Sequence, residues 1–340
     1  MPRMTKTARL ALLLAAPVVS LSVACGAPPK PAVDPDLSVA PAPATDGSMT
    51  EVASGKAALT AKKYEDARSY FAAALTKKPS DLEANYYLAL TYEQLGSPKD
   101  AETYYKKTLE LKPDDAGAAE NLSAIYLDQD RVDEAVALCT SAVAKSPKED
   151  KLHFCLARGH AAKHDVTSAT DEFKKTIALS PDNADFHFSY ASWLAILSQQ
   201  DATKVAAATG EAKQALSLAK EDSDLLLRIG QLFVKLKDAT DCIGALDRAI
   251  ARGESAEART TRGMCKMSSK DPLGAEQDFR AAITADAKFV KAYFWLGNLL
   301  HSLKRDDEAI AALQSCQKLD PDGAGKAADK LIAAIKAGGH

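Results

Sequence analysis

The sequence predicts an all-α chain made of repeated antiparallel helix pairs, and three observations carry that expectation. The 340 residues are 46% hydrophobic yet only 6% aromatic, and Ala, Leu, Glu and Lys are abundant. These side chains lose little freedom in a helix, and runs of Val, Ile and Thr that would read as strands are few. Pro79, Pro113, Pro147 and Pro181 follow one another at intervals of 34 residues. Between them, small and large residues recur at matching offsets.

Residues 1–24 read as a secretory leader. Arg3, Lys6 and Arg9 precede an apolar run over residues 10–19, which Pro17 interrupts and which is too short for a transmembrane helix. The leader ends in Val23 and Ala24, just before Cys25. This ending resembles a bacterial lipobox, with Ser22 standing where that motif usually carries Leu. The resemblance implies cleavage before Cys25, thioether lipidation of its sulfur and acylation of the new amine, which together anchor a protein stably. The other reading is an ordinary leader with a chance cysteine. Gly26 follows the cysteine where an Asp would imply inner-membrane retention, so the resemblance points to the outer membrane, facing the periplasm. Residues 25–47 are rich in Pro, Ala and Asp and carry almost no large apolar side chains. Such a segment cannot bury enough surface to fold and reads as a semi-extended tether.

From residue 48 to 323 the register is regular. Eight units span 48–81, 82–115, 116–149, 150–183, 184–222, 223–255, 256–289 and 290–323. With proline as the thirty-second residue, the eighth is small throughout, as at Gly55, Ala89, Ser123 and Gly263. The twentieth is Ala, as at Ala67, Ala101 and Ala275, except for Cys242. The twenty-fourth is mostly large: Phe71, Tyr105, Phe173, Leu246, Phe279 and Leu313. Glu254 and Ala287 replace the proline in the sixth and seventh units. The fifth unit is about five residues longer, and "SQQDATKV" lengthens its internal turn. This pattern resembles the tetratricopeptide repeat family. The resemblance implies a right-handed α-solenoid of about eight helix–turn–helix units. Small residues at positions eight and twenty let two backbones approach, and large ones fill the space beside the contact. Proline ends the second helix, and Ser or Asp after it caps the next. A single unit cannot cover its own apolar face, so units stack. Within residues 324–340, Leu331, Ile332 and Ile335 share one side of a final amphipathic stretch, which reads as a capping helix.

No phosphate loop, nucleophile elbow or strong metal-ligand spacing occurs in the sequence, so neither catalytic residues nor a cofactor is expected. His160 and His164, four apart, with His153 and Cys155 nearby, form the best metal candidate. His160 falls on a core-facing position, however, and reads as structural. The net charge is −3, and near −6 without residues 1–24, so there is no basic excess for coating a nucleic-acid backbone.

Cys139 and Cys155 lie eight residues either side of Pro147, and Cys242 and Cys265 straddle a later inter-unit turn almost symmetrically. Residues equidistant from the turn are neighbours in an antiparallel helix pair, and an exported protein meets an oxidising compartment. The expected disulfides are Cys139–Cys155 and Cys242–Cys265, with Cys316 free. The alternative is that all five are small buried core thiols.

In the tetratricopeptide family the first helices line a concave groove through positions two, five, nine, twelve and thirteen. Carried onto this chain, the resemblance gives Tyr86, Leu90, Phe154, Arg158, Phe188, Leu227, Gln231, Met264, Phe294 and Asn298 as partner-binding candidates. Large apolar side chains there suit a helix or extended peptide laid in the groove. The alternative is that they pack on their own neighbours in a tight superhelix. No unit pairs Lys at position five with Asn at nine, so the carboxylate clamp of chaperone-binding members is not expected. The bacterial lipoproteins of this family that the chain looks like include pilotins of type IV pilus secretins and components of surface-motility machines. The expectation is a non-enzymatic envelope scaffold that binds a protein or peptide and is held to a membrane by its lipid. The alternatives are an adaptor of a peptidoglycan-active enzyme or a passive spacer.

Overall fold

The computed structural model describes residues 47–338. The leader, Cys25 and the tether up to residue 46 lie outside the described residues, and Gly47 already opens the first helix. Among the described residues there are seventeen α-helices and no strands. They form eight successive pairs: α1 (Gly47–Thr60) with α2 (Tyr64–Lys77), α3 (Leu82–Gln94) with α4 (Pro98–Leu111), α5 (Ala116–Asp128) with α6 (Val132–Lys145) and α7 (Asp150–Ala162) with α8 (Val166–Leu179). Next come α9 (Ala184–Leu197) with α10 (Lys204–Leu218), α11 (Ser223–Leu236) with α12 (Ala239–Arg252), α13 (Ala256–Ser268) with α14 (Pro272–Ala285) and α15 (Val290–Ser302) with α16 (Asp306–Leu319). A last helix, α17 (Ala324–Gly338), packs on α15 and α16 through Ala328, Ile332 and Ile335.

The side chains that set the repeat are the ones that hold each pair together. Ala67, Ala101, Ala135, Ala169, Ala208, Cys242, Ala275 and Ala309 are fully buried, as are Phe71, Tyr105, Leu246, Phe279 and Leu313. Small residues at the helix crossing let the backbones close in, and the large neighbour fills the gap beside them. Helix starts are fixed by side-chain caps two residues after the proline rather than directly after it. Asp81 accepts from the Ala84 amide and Asp115 from the Ala118 amide, each at 3.0 Å, and Asn183 caps α9 in the same way.

The turn inside each unit has its own repeated chemistry. Lys62, Gly96, Asp130, His164, Lys237, Lys270 and Lys304 all have φ between 57° and 72°. Each occupies the fifteenth place of its unit, just past the first helix. The residue after each donates its amide to a carbonyl five back, as Lys63 does to Ala58 at 2.9 Å and Asp271 to Lys266 at 2.8 Å. This closes the helix end with left-handed backbone and satisfies a carbonyl that would otherwise lack a partner.

Successive first helices touch one another: α1 meets α3, α5 meets α7, and the run from α9 through α11 and α13 to α15 is continuous. The second helices make no comparable contacts with each other. Close spacing on one side and splayed spacing on the other curves the stack, with the first helices on its inner wall. The largest core runs through four units, from Phe154 to Cys265.

Candidate functional site: the wall of first helices

The inner wall presents the side chains that sequence position assigned to it in different degrees. Phe188, Leu227, Met264 and Phe294 are half-buried and keep part of their apolar surface in the groove, as does Tyr86. Leu90 and Phe154 do not. Leu90 is 8% exposed and Phe154 is 4% exposed, its ring lying 5.0 Å from that of Phe186 and 6.3 Å from that of Phe173. Reading these two as partner anchors is corrected here, because burial against neighbouring aromatic rings makes them part of the core.

The polar candidates are engaged within the wall. The Arg158 guanidinium lies 5.8 Å from the centre of the Phe154 ring. Gln231 Nε2 donates to Glu257 at 3.0 Å, and Asn298 Nδ2 donates to the Phe294 carbonyl at 2.8 Å. Phe294 meets Trp295 edge-on at 5.9 Å.

Two arrangements had no sequence signal. Arg228 stacks on Phe188, its guanidinium carbon 4.4 Å from the ring centre, and reaches Asp185 at 3.4 Å. Burial pushes the Asp185 carboxyl up, and Arg228 opposes that. In the second, the Tyr105 hydroxyl donates to the Glu93 carboxylate and accepts from Asn121 Nδ2 at 3.1 Å. Burial pushes Glu93 up to about 7, against the Tyr105 hydrogen bond, and Asp128 adds to the rise. Each cluster joins neighbouring units, Asn121 reaching Tyr105 across 16 residues and Arg228 reaching Asp185 across 43, so no single repeat unit displays it.

Cys139 is paired with Cys155 across α6 and α7 with Cα atoms 5.8 Å apart, and Cys242 with Cys265 across α12 and α13 at 6.3 Å. Both separations lie within the span a disulfide allows. Cys316 is free and buried, and burial together with Asp320 raises its thiol to about 11.

Three of the four residues of the metal candidate are engaged separately, and the fourth, His160, has its Nδ1 3.5 Å from Asp165. His153 Nε2 donates to the Pro147 carbonyl at 3.0 Å, and its Nδ1 lies 2.6 Å from Glu172. His187 repeats this one unit on, with Pro181 and Glu211. Asn85, at the same place in its own unit, donates to the Pro79 carbonyl at 3.1 Å. Position four is therefore a device that ties the first helix to the preceding proline turn. His164 is a left-handed turn residue, and Cys155 is bonded to Cys139. Among the described residues, no three His, Cys, Asp or Glu side chains are grouped to hold an ion.

Comparison with known proteins agrees with this architecture. The family profile described as tetratricopeptide repeat matches residues 52–116, 92–150 and 262–324. A DnaJ protein P58IPK homolog B of Oryza sativa subsp. japonica is 24% identical over 282 residues, covering 65% of this chain. The match spans 59% of that relative's own length. Yeast Tom70 superposes with a TM-score of 0.55 at 16% identity, covering 89% of this chain and 67% of its own. A tetratricopeptide repeat protein from Parabacteroides merdae ATCC 43184 gives a TM-score of 0.50 at 13% identity, covering 74% of this chain and 98% of that one. At such identities the likeness establishes the fold, an all-α solenoid of tetratricopeptide repeats, and nothing finer.

Proposed function

We propose that this chain of tetratricopeptide repeats is a protein-interaction scaffold, an exported lipoprotein that holds a protein or peptide partner in the groove of its first helices. On this reading it supports assembly of an envelope machine, of the pilus-secretin or surface-motility kind. The observation that carries it is the row of half-buried Tyr86, Phe188, Leu227, Met264 and Phe294, contributed by five units to one wall. Apolar side chains left partly in water on one wall, four of them along the continuous run of first helices from α9 to α15, are what an amphipathic helix or extended peptide covers on docking. Export is supported by the leader and by the two cysteine pairs, which an oxidising compartment would maintain. Cys25 is the lipid attachment point on this reading.

The test is affinity capture of the detergent-solubilised full chain with Phe188→Ser, Phe294→Ser and Cys25→Ser variants. Both groove variants are expected to lose the partner while keeping a helical circular-dichroism spectrum. Cys25→Ser is expected to keep the partner and leave the membrane fraction. Undiminished capture by both groove variants would remove the groove from the function.

A further inference from the structure

The middle junction of the stack, between units four and five, is put together differently from its neighbours. The two disulfides fall on either side of it: Cys139–Cys155 joins units three and four, and Cys242–Cys265 joins units six and seven. The first helices α5 and α7 meet, and so does each neighbouring pair from α9 to α15, whereas α7 and α9 make no comparable contact. α8 also meets α9 more sparsely than any other second helix meets the first helix that follows it.

Side chains compensate at other junctions. α3 and α5 likewise make no comparable contact, but there Arg131 of unit three reaches Glu102 of unit two at 2.8 Å, and Asn121 reaches Tyr105 at 3.1 Å. Arg305 of unit eight reaches Glu276 of unit seven at 2.7 Å from the same two places of the repeat. Lys163 joins units four and three through Asp133 at 2.6 Å, and Lys213 joins units five and six through Asp241 at 2.9 Å. Such pairs add little stability singly, but they are directional. Counted along units five and four, the places of Arg131 and Glu102 hold Gln199 and Thr170, so that charge pair has no counterpart there. Unit four meets unit five through rings: Phe154 lies 5.0 Å from Phe186, and Phe173 stacks on Tyr190 at 5.4 Å. The linking turn has an owner on each side. Ser180 Oγ donates to Asp150 of unit four, and His187 Nε2 of unit five donates to the Pro181 carbonyl at 2.9 Å.

We infer that this junction is a shear hinge. Two halves of four units, each held by its own disulfide, slide on the rings of Phe154, Phe173, Phe186 and Tyr190 and pivot between Ser180 and Pro181. Apolar contact is non-directional, so small slides cost it little, whereas a disulfide or a helix-to-helix seam holds one arrangement. The apolar row of Phe188, Leu227, Met264 and Phe294 lies wholly in the second half. Motion at the hinge therefore swings units one to four towards or away from that row while the row itself keeps its spacing. The hinge does not depend on what the wall binds.

The test is double electron–electron resonance on the full-length chain, with spin labels carried by p-acetylphenylalanine so that the native cysteines stay untouched. Labels are placed at exposed Glu110 and Gln214 in one sample and at exposed Gln214 and Gln314 in another. Each pair spans three junctions, and only the first pair spans the junction of units four and five. The Glu110–Gln214 distance distribution is expected to be about twice as wide as the Gln214–Gln314 distribution. Phe186→Leu, which removes one ring of the bearing, is expected to widen the first distribution further and to leave the second unchanged. Equal widths for the two pairs, narrow or broad, would overturn the hinge, because the stack would then be evenly stiff or evenly flexible. So would a folded Phe186→Leu variant whose first distribution matches the wild type. If that variant does not fold, the comparison of the two wild-type widths decides alone.

Discussion

Gly263 lies so close to Phe279 that a Cβ built on it would stand 2.5 Å from Cε1 of the ring. Phe279 is fully buried and cannot swing away. The same relation joins Gly55 to Phe71, Gly230 to Leu246 and Gly297 to Leu313. Overpacking such a crossing costs about 1–3 kcal/mol, which outweighs the gain of about 1 kcal/mol from replacing a mid-helix glycine with alanine. Gly263→Ala is therefore expected to lower stability. Gly244, inside α12, has nothing within 4 Å of its would-be Cβ. Gly244→Ala is expected to raise stability by up to about 1 kcal/mol. Urea midpoints of the two variants measured side by side check this, and equal shifts of the same sign would mean the crossing is not tight.

Each cysteine pair joins the second helix of one unit to the first helix of the next, with sequence separations of 16 and 23 residues. Closing loops of that size stabilises a chain by about 3 kcal/mol each in the chain-entropy account. Of the five cysteines from Cys139 to Cys316, denatured but unreduced protein is expected to titrate one thiol, that of Cys316, and all five after reduction. Reduction is also expected to lower the melting temperature. Five thiols before reduction would remove both bridges from the native molecule.

The sequence carried the fold because the repeat is enforced by packing. A residue at position eight or twenty is small in every unit for the same steric reason, so aligning Ala67, Ala101 and Ala275 exposes the crossing without any coordinates. The groove was less legible. Phe154 and Phe188 occupy the same place in adjacent units, yet the first is core and the second is half-exposed. The difference comes from what packs against each ring: Phe186 and Phe173 against one, Arg228 against the other. The Glu93–Tyr105–Asn121 cluster was invisible for a related reason, since three helices supply it and none of its members departs from a helical pattern. The internal turn was missed because its left-handed residue is glycine only at Gly96.

Glu93 makes stability depend on pH in an unusual direction. Its carboxyl rises from 4.5 to about 7 on folding, burial being the main cause. Between those values the folded chain holds a proton that the unfolded chain has released, so stability falls as pH rises from about 4.5 to about 7 and is level above. Glu93→Gln cannot lose that proton. The variant is expected to match the wild type near pH 4 and to exceed it at pH 8 by on the order of 1–3 kcal/mol. Acids held by cations, such as Asp278 and Glu172, titrate alike in both proteins and cancel from the difference. Denaturant midpoints at the two pH values decide it, and a variant less stable than the wild type at pH 8 would place a stabilising charge on Glu93.

The left-handed turn offers a stability gain that costs no contact. Lys270 is exposed and has φ 64°, as does Lys304, and Lys62 has φ 57°. Placing a side chain in that region costs roughly 1–2 kcal/mol, from which glycine is exempt. Glycine gives back part of this by loosening the unfolded chain, by about 0.4–1 kcal/mol. The steric term is larger, so Lys270→Gly is expected to stabilise by up to about 1 kcal/mol. Lys270→Ile, whose branched side chain is still less tolerant of positive φ, is expected to destabilise. Lys62, Lys270 and Lys304 belong to the first, seventh and eighth units, so glycine at Lys62 and Lys270 should add nearly independently. Gly96→Ala is the converse and should lower the melting temperature, although nothing lies within 4 Å of its would-be Cβ. If Gly96→Ala is neutral and Lys270→Gly destabilises, helix closure at these turns does not depend on the left-handed residue.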